Sequence, residues 1–230
     1  QKTALTAPSP NQNKQHAAGI FRQRTKLRIT LSIVLVALLL GTAAVSIILG
    51  QYYVPLSDFW AILFRDPNYD GLSASVVWEI RLPRILLGFL VGAALGVAGT
   101  LMQAVFANPL AEPSIIGVTS GAGVGAALVI VFNISILGTF TVPAAAFLSA
   151  VLVTLIIYQM ARNRGRVAVI NLVLTGIAVN AVCGAIISFL VYLAPTSNRE
   201  QIIFWQMGSL NGSQWKHVWA VLPIVVIGLA

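Results

Sequence analysis

Residues 81–125 decide the fold, and they read RLPRILLGFLVGAALGVAGTLMQAVFANPLAEPSIIGVTSGAGVG. No charged residue occurs between Arg84 and Glu112, yet small residues recur at every fourth position. On a helix this interval places them along one face. They are Gly88, Gly92, Gly96, Thr100, Ala104 and Asn108, then Gly117, Gly121 and Gly125. Such faces let helix backbones approach closely in lipid, so the stretch favours a multi-helix transmembrane bundle over a lone lipid anchor.

The composition agrees with a membrane protein. Hydrophobic residues make up 58% of the chain and charged residues 9%, whereas soluble domains carry about 25% charged residues. The net charge of +8 comes largely from basic clusters at 22–28 and 162–166, beside apolar runs. Topology signals have this placement, so nucleic acid is not an expected partner. The single cysteine, Cys183, excludes an intrachain disulfide and supports no metal cluster.

The apolar runs predict an all-α, polytopic transmembrane bundle. We expect spans at about 29–50, 83–106, 114–132, 141–161 and 168–193, and a truncated one at 218–230. Pro83 suits the first turn of the second span, and Pro109 and Pro113 break the chain before the third. Residues 1–28 are predicted to be a disordered basic tail. A secretory signal is the alternative, but its apolar region would be shorter, roughly 7–15 residues.

Orientation follows from the basic residues near the spans. With the N-terminus in the cytoplasm, the clusters at 22–28 and 162–166 both fall inside, and nearly all the acidic residues fall outside. We therefore expect a multi-pass protein with a cytoplasmic N-terminus. Because the chain begins without Met and ends within an apolar run, we also expect a fragment of a longer protein.

No catalytic set is recognisable, so we expect no enzyme. The sequence lacks a GxxxxGK[ST] phosphate loop and a Ser/His/Asp constellation. Apart from Arg84 at the start of the second span, the five complete spans contain no Asp, Glu, Lys or Arg, which favours an externally powered pore over a proton- or sodium-driven carrier. The fifth span carries Thr175, Gly176, Asn180 and Gly184. These residues either line a pathway or pack helices together.

At this point a family resemblance is visible. Residues 81–125, with LVLTGIAVNAVCGAI at 172–186 and FWQMGSLNGSQW at 204–215, closely resemble the FecCD family. Its members are permease subunits of ABC importers for iron–siderophores, haem and vitamin B12. The likeness covers about residues 28–230 and implies a type II ABC importer permease fold. Family permeases have ten helices, so this chain would hold the first through about the sixth.

The resemblance also implies partners and a location. These are a second permease subunit, separate ATP-binding subunits and an extracytoplasmic substrate-binding protein, in the bacterial cytoplasmic (inner) membrane. The chain itself would bind no cofactor, because ATP-Mg sits on the partner ATPase. Arg81 and Arg84 match family arginines that pair with carboxylates of the binding protein, and a Pro-held pair of arginines suits that task. Snorkelling to lipid headgroups is the alternative.

Family positions also mark the expected gates and pathway. Asn108 and Leu110 match the cytoplasmic constriction, and Val169 and Ile170 match a second gate loop, where the compared family member has small hydroxyl residues. The resemblance implies a ferric chelate as cargo, with an iron–siderophore ahead of haem and vitamin B12. A secondary carrier and a membrane scaffold are the rival functions. The residues expected in the pathway or in helix packing are Gly88, Gly92, Gly96, Gln103, Gly117, Gly121, Gly125, Thr175, Asn180 and Gly184.

Overall fold

The computed structural model describes residues 10–50, 52, 54–64, 71–163 and 166–229. Their packing divides the chain into two compact units, Gln1–Ile85 and Leu86–Ala230. Helices joined by turns and loops make up the described chain, together with one short hairpin in which Arg162–Asn163 (β1) pairs with Arg166–Val167 (β2). The predicted all-α transmembrane bundle is therefore confirmed.

The first unit contains one long helix and several short ones. Helix α1 spans Pro10–Ile48, α2 spans Phe59–Leu63, and α3 spans Leu72–Ser75. A π-helical turn, Val76–Arg81, then leads into α4, Leu82–Phe106. The core of this unit is a small cluster in which Val54, Ile62 and Val77 are buried. Trp78 fixes it by donating its indole N–H to the carbonyl oxygen of Ile62 at 2.8 Å.

The N-terminal boundary of the first helix differs from the sequence prediction. Residues 10–28, expected to be disordered, continue α1 toward the N-terminus, while residues 1–9 lie outside the described part. Pro10 is the first helical residue, a position where its missing N–H is harmless. The residues that follow are mostly good helix formers, and propagating an existing helix requires no new nucleus. A basic stretch attached to a long apolar helix therefore extends it.

The start of the second span also needs correction. Helical structure begins at Leu72, so Pro83 lies inside a helix and not in its first turn. A proline inside a helix clashes with the carbonyl four residues earlier and lacks a donor of its own. The π-helical turn immediately before Pro83 widens the backbone there, and the N–H of Leu82 donates to the carbonyl of Val77. Such turns are inserted where an α-helix is locally disrupted.

The second unit is a helical bundle. After α4 come a 3₁₀ turn at Pro113–Ile116, α5 at Val118–Val131, a second 3₁₀ turn at Gly138–Phe140 and α6 at Thr141–Ala161. The hairpin leads to α7 at Val169–Leu193 and α8 at Thr196–Met207. Helix α9, Trp215–Leu229, begins slightly earlier than the predicted sixth span.

Helix α5 is the centre of the second unit. It contacts α6, α7 and α8, and its Ala126 and Ala127 are fully enclosed. At 14 residues it is about 21 Å long, whereas a bilayer core is about 30 Å thick. The predicted third span, 114–132, therefore divides into a turn and a short helix. They meet at Gly117, whose φ of 80° is open to glycine and strained for other residues.

The length and composition of the helices suit a membrane. Within the described residues, four helical segments are long and apolar enough to cross one. Helices α5 and α9 are apolar but shorter. Large apolar side chains on α1, α4, α6 and α7 are exposed, as expected where lipid or other helices cover them. The four segments are Arg22–Ile48, Leu72–Phe106, Gly138–Ala161 and Val169–Leu193.

Candidate functional site

A tight turn joins α4 to the short helix α5. Ala107 adopts a left-handed φ of 47° and ends α4. The Asn108 side-chain oxygen then accepts a hydrogen bond from the Leu110 N–H at 2.9 Å, and the Ala111 N–H donates to the Asn108 carbonyl at 3.1 Å. An asparagine that bonds its own backbone in this way stabilises a turn. As a result Leu110 projects outward and is 85% exposed, while Ala111 is buried.

The 3₁₀ turn that follows is held by side chains of two other helices. The Asn180 amide of α7 donates to the Ser114 carbonyl at 3.0 Å. The Thr154 hydroxyl of α6 donates to the Ile116 carbonyl at 3.2 Å. Between them, the Ile115 carbonyl lies against Gly176 of α7, where an added Cβ would clash with it. We call residues 113–117 the re-entrant turn, and three of its backbone carbonyls, those of Ser114, Ile115 and Ile116, thus meet α6 or α7.

The predicted glycine faces have different surroundings. On α5, a Cβ added to Gly121 would lie 2.9 Å from the Ser149 carbonyl, and one added to Gly125 would clash with the Ala145 carbonyl. Gly117 is equally enclosed, against Val153 and Ile157. The prediction of close backbone packing thus holds for this half of the stripe.

The α4 half of the stripe is open in the described chain. An added Cβ would have no heavy atom within 4 Å at Gly92 or Gly96, and only Leu210 at 3.5 Å from Gly88. Gln103 is exposed near the end of the same helix. Gly92, Gly96 and Gln103 are therefore exposed in the described chain, whereas Leu210 lies beside Gly88. Whether they pack helices or line a pathway stays a prediction.

The remaining predicted pathway and gate residues lie along α7. Val169 and Ile170 are exposed at its first turn. Thr175 is half-buried, and Gly184 is exposed with no heavy atom within 4 Å of an added Cβ. Asn180 is the exception, because it binds the re-entrant turn. No hydrogen bond among the described residues joins the Asn108 turn to Val169 or Ile170, so the gating roles of both pairs stay predictions.

The two predicted docking arginines have different environments. Arg81, on the π-helical turn, is 8% exposed. Its guanidinium donates to the carbonyls of Ile47 and Ile48, the last two residues of α1, and to the Tyr52 carbonyl just beyond them. A cation at a helix C-terminus satisfies orphan carbonyls and complements the helix dipole. Arg84 is exposed. In this structure Arg81 therefore caps the end of α1, and the docking role of both arginines stays a prediction.

Helix α8 is attached to the second unit by side chains that sequence reasoning missed. The buried Asn198 amide donates to the Ile130 carbonyl at 2.7 Å, at the end of α5. Arg199 donates to the Val191 and Ala194 carbonyls, at the end of α7, at 3.2 and 3.1 Å. Ile202 is fully enclosed beside Ala127 and Ile130. Adjacent polar residues just after a helix end were the available signal for these caps.

Thr154 was also missed, although its position carried a signal. It is a polar residue in the middle of an apolar helix, and polar groups in membrane helices usually face a partner.

A family model for the FecCD transport family matches residues 19–230, a range that includes α4 to α9 and the re-entrant turn. The chain belongs to the FecCD transport family. The predicted family is therefore confirmed.

Named relatives of this FecCD chain include vitamin B12 import system permease proteins BtuC. The protein from Pectobacterium atrosepticum is 35% identical over 191 residues, covering 83% of this chain and 54% of the relative. The protein from Shigella boydii is 32% identical over 206 residues, covering 90% of this chain and 60% of the relative. The chain thus spans somewhat more than half the length of the curated relatives it matches.

A solved structure has a similar fold. It is a metal-chelate type ABC transporter in an inward-facing conformation, with a TM-score of 0.72 and 30% sequence identity. The match covers 86% of this chain and 59% of that chain. The fold of this chain is therefore that of an ABC transporter permease.

Proposed function

We propose that the protein containing this chain is the permease subunit of a bacterial ABC importer that passes a metal chelate into the cytoplasm. The observation that carries this proposal is the FecCD match over residues 19–230. Additional support comes from relatives named as importer permeases and from a similar structure named as a metal-chelate type ABC transporter. The membrane would be the cytoplasmic one, and the N-terminus would lie in the cytoplasm, as the basic residues before Ile29 favour.

Its energy would come from partner subunits. The sequence has no GxxxxGK[ST] phosphate loop, and its five complete spans contain no charged residue other than Arg84 at the start of the second. The chain therefore offers neither the residues for ATP binding of the P-loop type nor an acidic residue within a span for proton-driven transport. We therefore expect two ATP-binding subunits, a second permease subunit and an external binding protein that delivers the cargo.

The cytoplasmic gate would lie at the two exposed turns beside the ends of α4 and α7. Asn108 fixes the first turn and leaves Leu110 exposed as a large apolar plug. Val169 and Ile170 offer a second apolar surface at the first turn of α7. An apolar constriction closes a pathway by excluding water, and it needs no titratable group. Small shifts of packed helices would open it.

Docking of the binding protein would depend on Arg84 more than on Arg81. Arg84 is exposed, and an exposed guanidinium suits a bidentate pair with a carboxylate. Arg81 is buried and already donates to main-chain carbonyls. Pairing with a carboxylate would require it to leave the end of α1.

An iron–siderophore is the proposed cargo, because it is the commonest cargo of the resembled family. Vitamin B12 is the second candidate, favoured by the names of the relatives at 35% and 32% identity. Haem is a third. Competition among these compounds for the partner binding protein would distinguish them.

Uptake into vesicles tests the whole proposal. The full-length protein would be reconstituted with its partners, with labelled ferric siderophore, vitamin B12 or haem outside. We expect ATP-dependent uptake of one cargo, and its loss when only the partner ATPase is inactivated. Uptake that survives this inactivation would instead indicate a secondary carrier. No uptake of any cargo, with normal membrane insertion, would indicate a scaffold.

A further inference from the structure

The length of helix α5 bears on how deep the re-entrant turn would lie in a bilayer. Helix α5 has 14 residues and is therefore about 21 Å long. If its Val131 end is at one interface, the turn at its other end lies within a core about 30 Å thick. Backbone carbonyls at that depth need partners from the protein itself. Non-helical backbone in a membrane protein is tolerated where other helices enclose it.

Asn180 and Thr154 supply those partners from opposite sides. The Asn180 amide reaches the Ser114 carbonyl at 3.0 Å, and the Thr154 hydroxyl reaches the Ile116 carbonyl at 3.2 Å. Gly176 removes the side chain that would otherwise push the Ile115 carbonyl away. The turn is therefore tied to α6 and α7 through its backbone, and its own side chains do not make these ties.

The ties extend to the exposed turn through short hydrogen-bonded steps. The Gly117 N–H donates to the Ser114 carbonyl at 3.0 Å, and the Ile115 N–H donates to the Glu112 carbonyl at 3.2 Å. The Ser114 hydroxyl donates to the Glu112 carboxylate, and Ala111 is buried immediately before it. A shift of the turn must therefore displace Ala111 and the neighbouring Leu110.

One detail makes this attachment releasable. The side-chain oxygen of Asn180 is buried and has no hydrogen-bond partner among the described residues. It lies 3.5 Å from the position that a Gly117 Cβ would occupy. A buried acceptor without a partner destabilises the arrangement that contains it. The arrangement in which Asn180 binds the turn is thus less stable than one in which every buried polar atom is paired. This makes it easier for the turn to move.

We infer that Asn180 and Thr154 are the positioning residues of the cytoplasmic gate. They hold the re-entrant turn at bilayer depth and thereby set where Leu110 lies. The role of Leu110 as a gate rests on the proposed function, whereas the attachment of the turn does not.

The test measures how readily the turn opens. In the full chain in bilayer vesicles, with Cys183→Ala as background, Ala111→Cys introduces a small thiol at a buried position. A charged maleimide added on the cytoplasmic side should label it slowly, because labelling follows local opening. Thr154→Val and Asn180→Leu should each raise the labelling rate by about fivefold, the factor for losing one hydrogen bond. Thr154→Ser keeps a hydroxyl, so this variant should be labelled as slowly as the parent.

The control is Thr42→Val. Its hydroxyl donates to the Leu39 carbonyl within α1 at 3.0 Å, so the same substitution should leave labelling unchanged. Thr154→Val conserves volume, which keeps the test valid if Asn180→Leu inserts poorly. Rates within twofold of the parent for Thr154→Val, or no restoration by Thr154→Ser, would overturn the inference. Uptake is measured in parallel, so a parent that imports nothing contradicts the proposed function and leaves the labelling result standing.

Discussion

Arg81 donates a hydrogen bond to the main-chain carbonyl of Ile48 at 3.0 Å, and the same guanidinium also binds the Ile47 and Tyr52 carbonyls. The end of a long apolar helix is thus capped by an arginine from the π-helical turn before α4. The two arginines on either side of Pro83 consequently have different environments, because Arg81 is buried and Arg84 is exposed.

Arg81→Met is expected to loosen the end of α1. Hydrogen bonds from a charged group contribute about 1.5–3 kcal/mol, and removing the donor leaves buried carbonyls unpaired. Thermal unfolding in detergent should show a loss of about 2 kcal/mol, and Arg84→Met should cost less because the Arg84 side chain is exposed. Binding of the partner binding protein should respond in the opposite order, with Arg84→Glu the more damaging change. Equal effects of the two arginines in both assays would contradict this division.

Gly50 is expected to tolerate no side chain without disturbing Arg81. A Cβ at Gly50 would lie 2.6 Å from the Arg81 Nη2, so Gly50→Ala should displace the guanidinium and reduce stability by about 1 kcal/mol. Gly41 is the matched control, since an added Cβ there meets nothing within 4 Å. Gly41→Ala, in the middle of α1, should raise stability by about 0.5–1 kcal/mol. Unfolding in detergent compares the two, and similar gains for both would rule out the clash.

Gly176→Ala is expected to be among the most disruptive small substitutions in the chain. Its Cβ would clash with the Ile115 carbonyl, a backbone atom of the re-entrant turn that has little freedom to move. Overpacking of this kind costs about 1–3 kcal/mol. On the same helix, Gly184→Ala meets no atom within 4 Å and should be neutral or mildly stabilising for folding. The pair is compared by unfolding in detergent. Equal stability of the two variants would refute the close approach of α7 and the turn.

Asn198→Ala is expected to detach α8 from the end of α5. The change removes the 2.7 Å hydrogen bond to the Ile130 carbonyl. That carbonyl still accepts from the Asn133 N–H at 3.3 Å, so the expected cost is that of one hydrogen bond, about 0.5–1.5 kcal/mol. A thiol placed at the enclosed Ile202 should then react faster with a charged maleimide. Gln206→Ala, at an exposed position of α8, serves as the control and should leave the rate unchanged. No acceleration in Asn198→Ala would show that apolar packing alone holds this helix.

Much of the architecture was predictable because the bilayer reduces the choices. A run of about 20 apolar residues has few stable conformations other than a helix, so the long spans were recognised, although the first two helical segments begin earlier than predicted. The glycine interval predicted close packing, and Gly121 and Gly125 do pack against α6. The family followed from the motif around residues 81–125.

Other features depended on contacts far apart in the sequence. The helical run ahead of Pro83 needed a π-helical turn that no periodicity signals. The role of Arg81 followed from carbonyls more than twenty residues earlier. The role of Asn180 depended on a turn 66 positions away. Local pattern reports which face of a helix is apolar, and it does not report which backbone group a polar side chain will meet.

The amino-acid sequence by itself determined that this chain forms apolar helices with close-packing glycine faces, because helix formation in lipid depends on local hydrogen bonding and local polarity. Only the tertiary structure decided which of those faces is used, where α5 begins, and which polar groups hold the re-entrant turn. These depend on the pairing of backbone groups between distant segments. Such pairing is fixed when the helices pack together, and in the described chain it assigns Arg81, Asn180 and Asn198 to carbonyls of other segments.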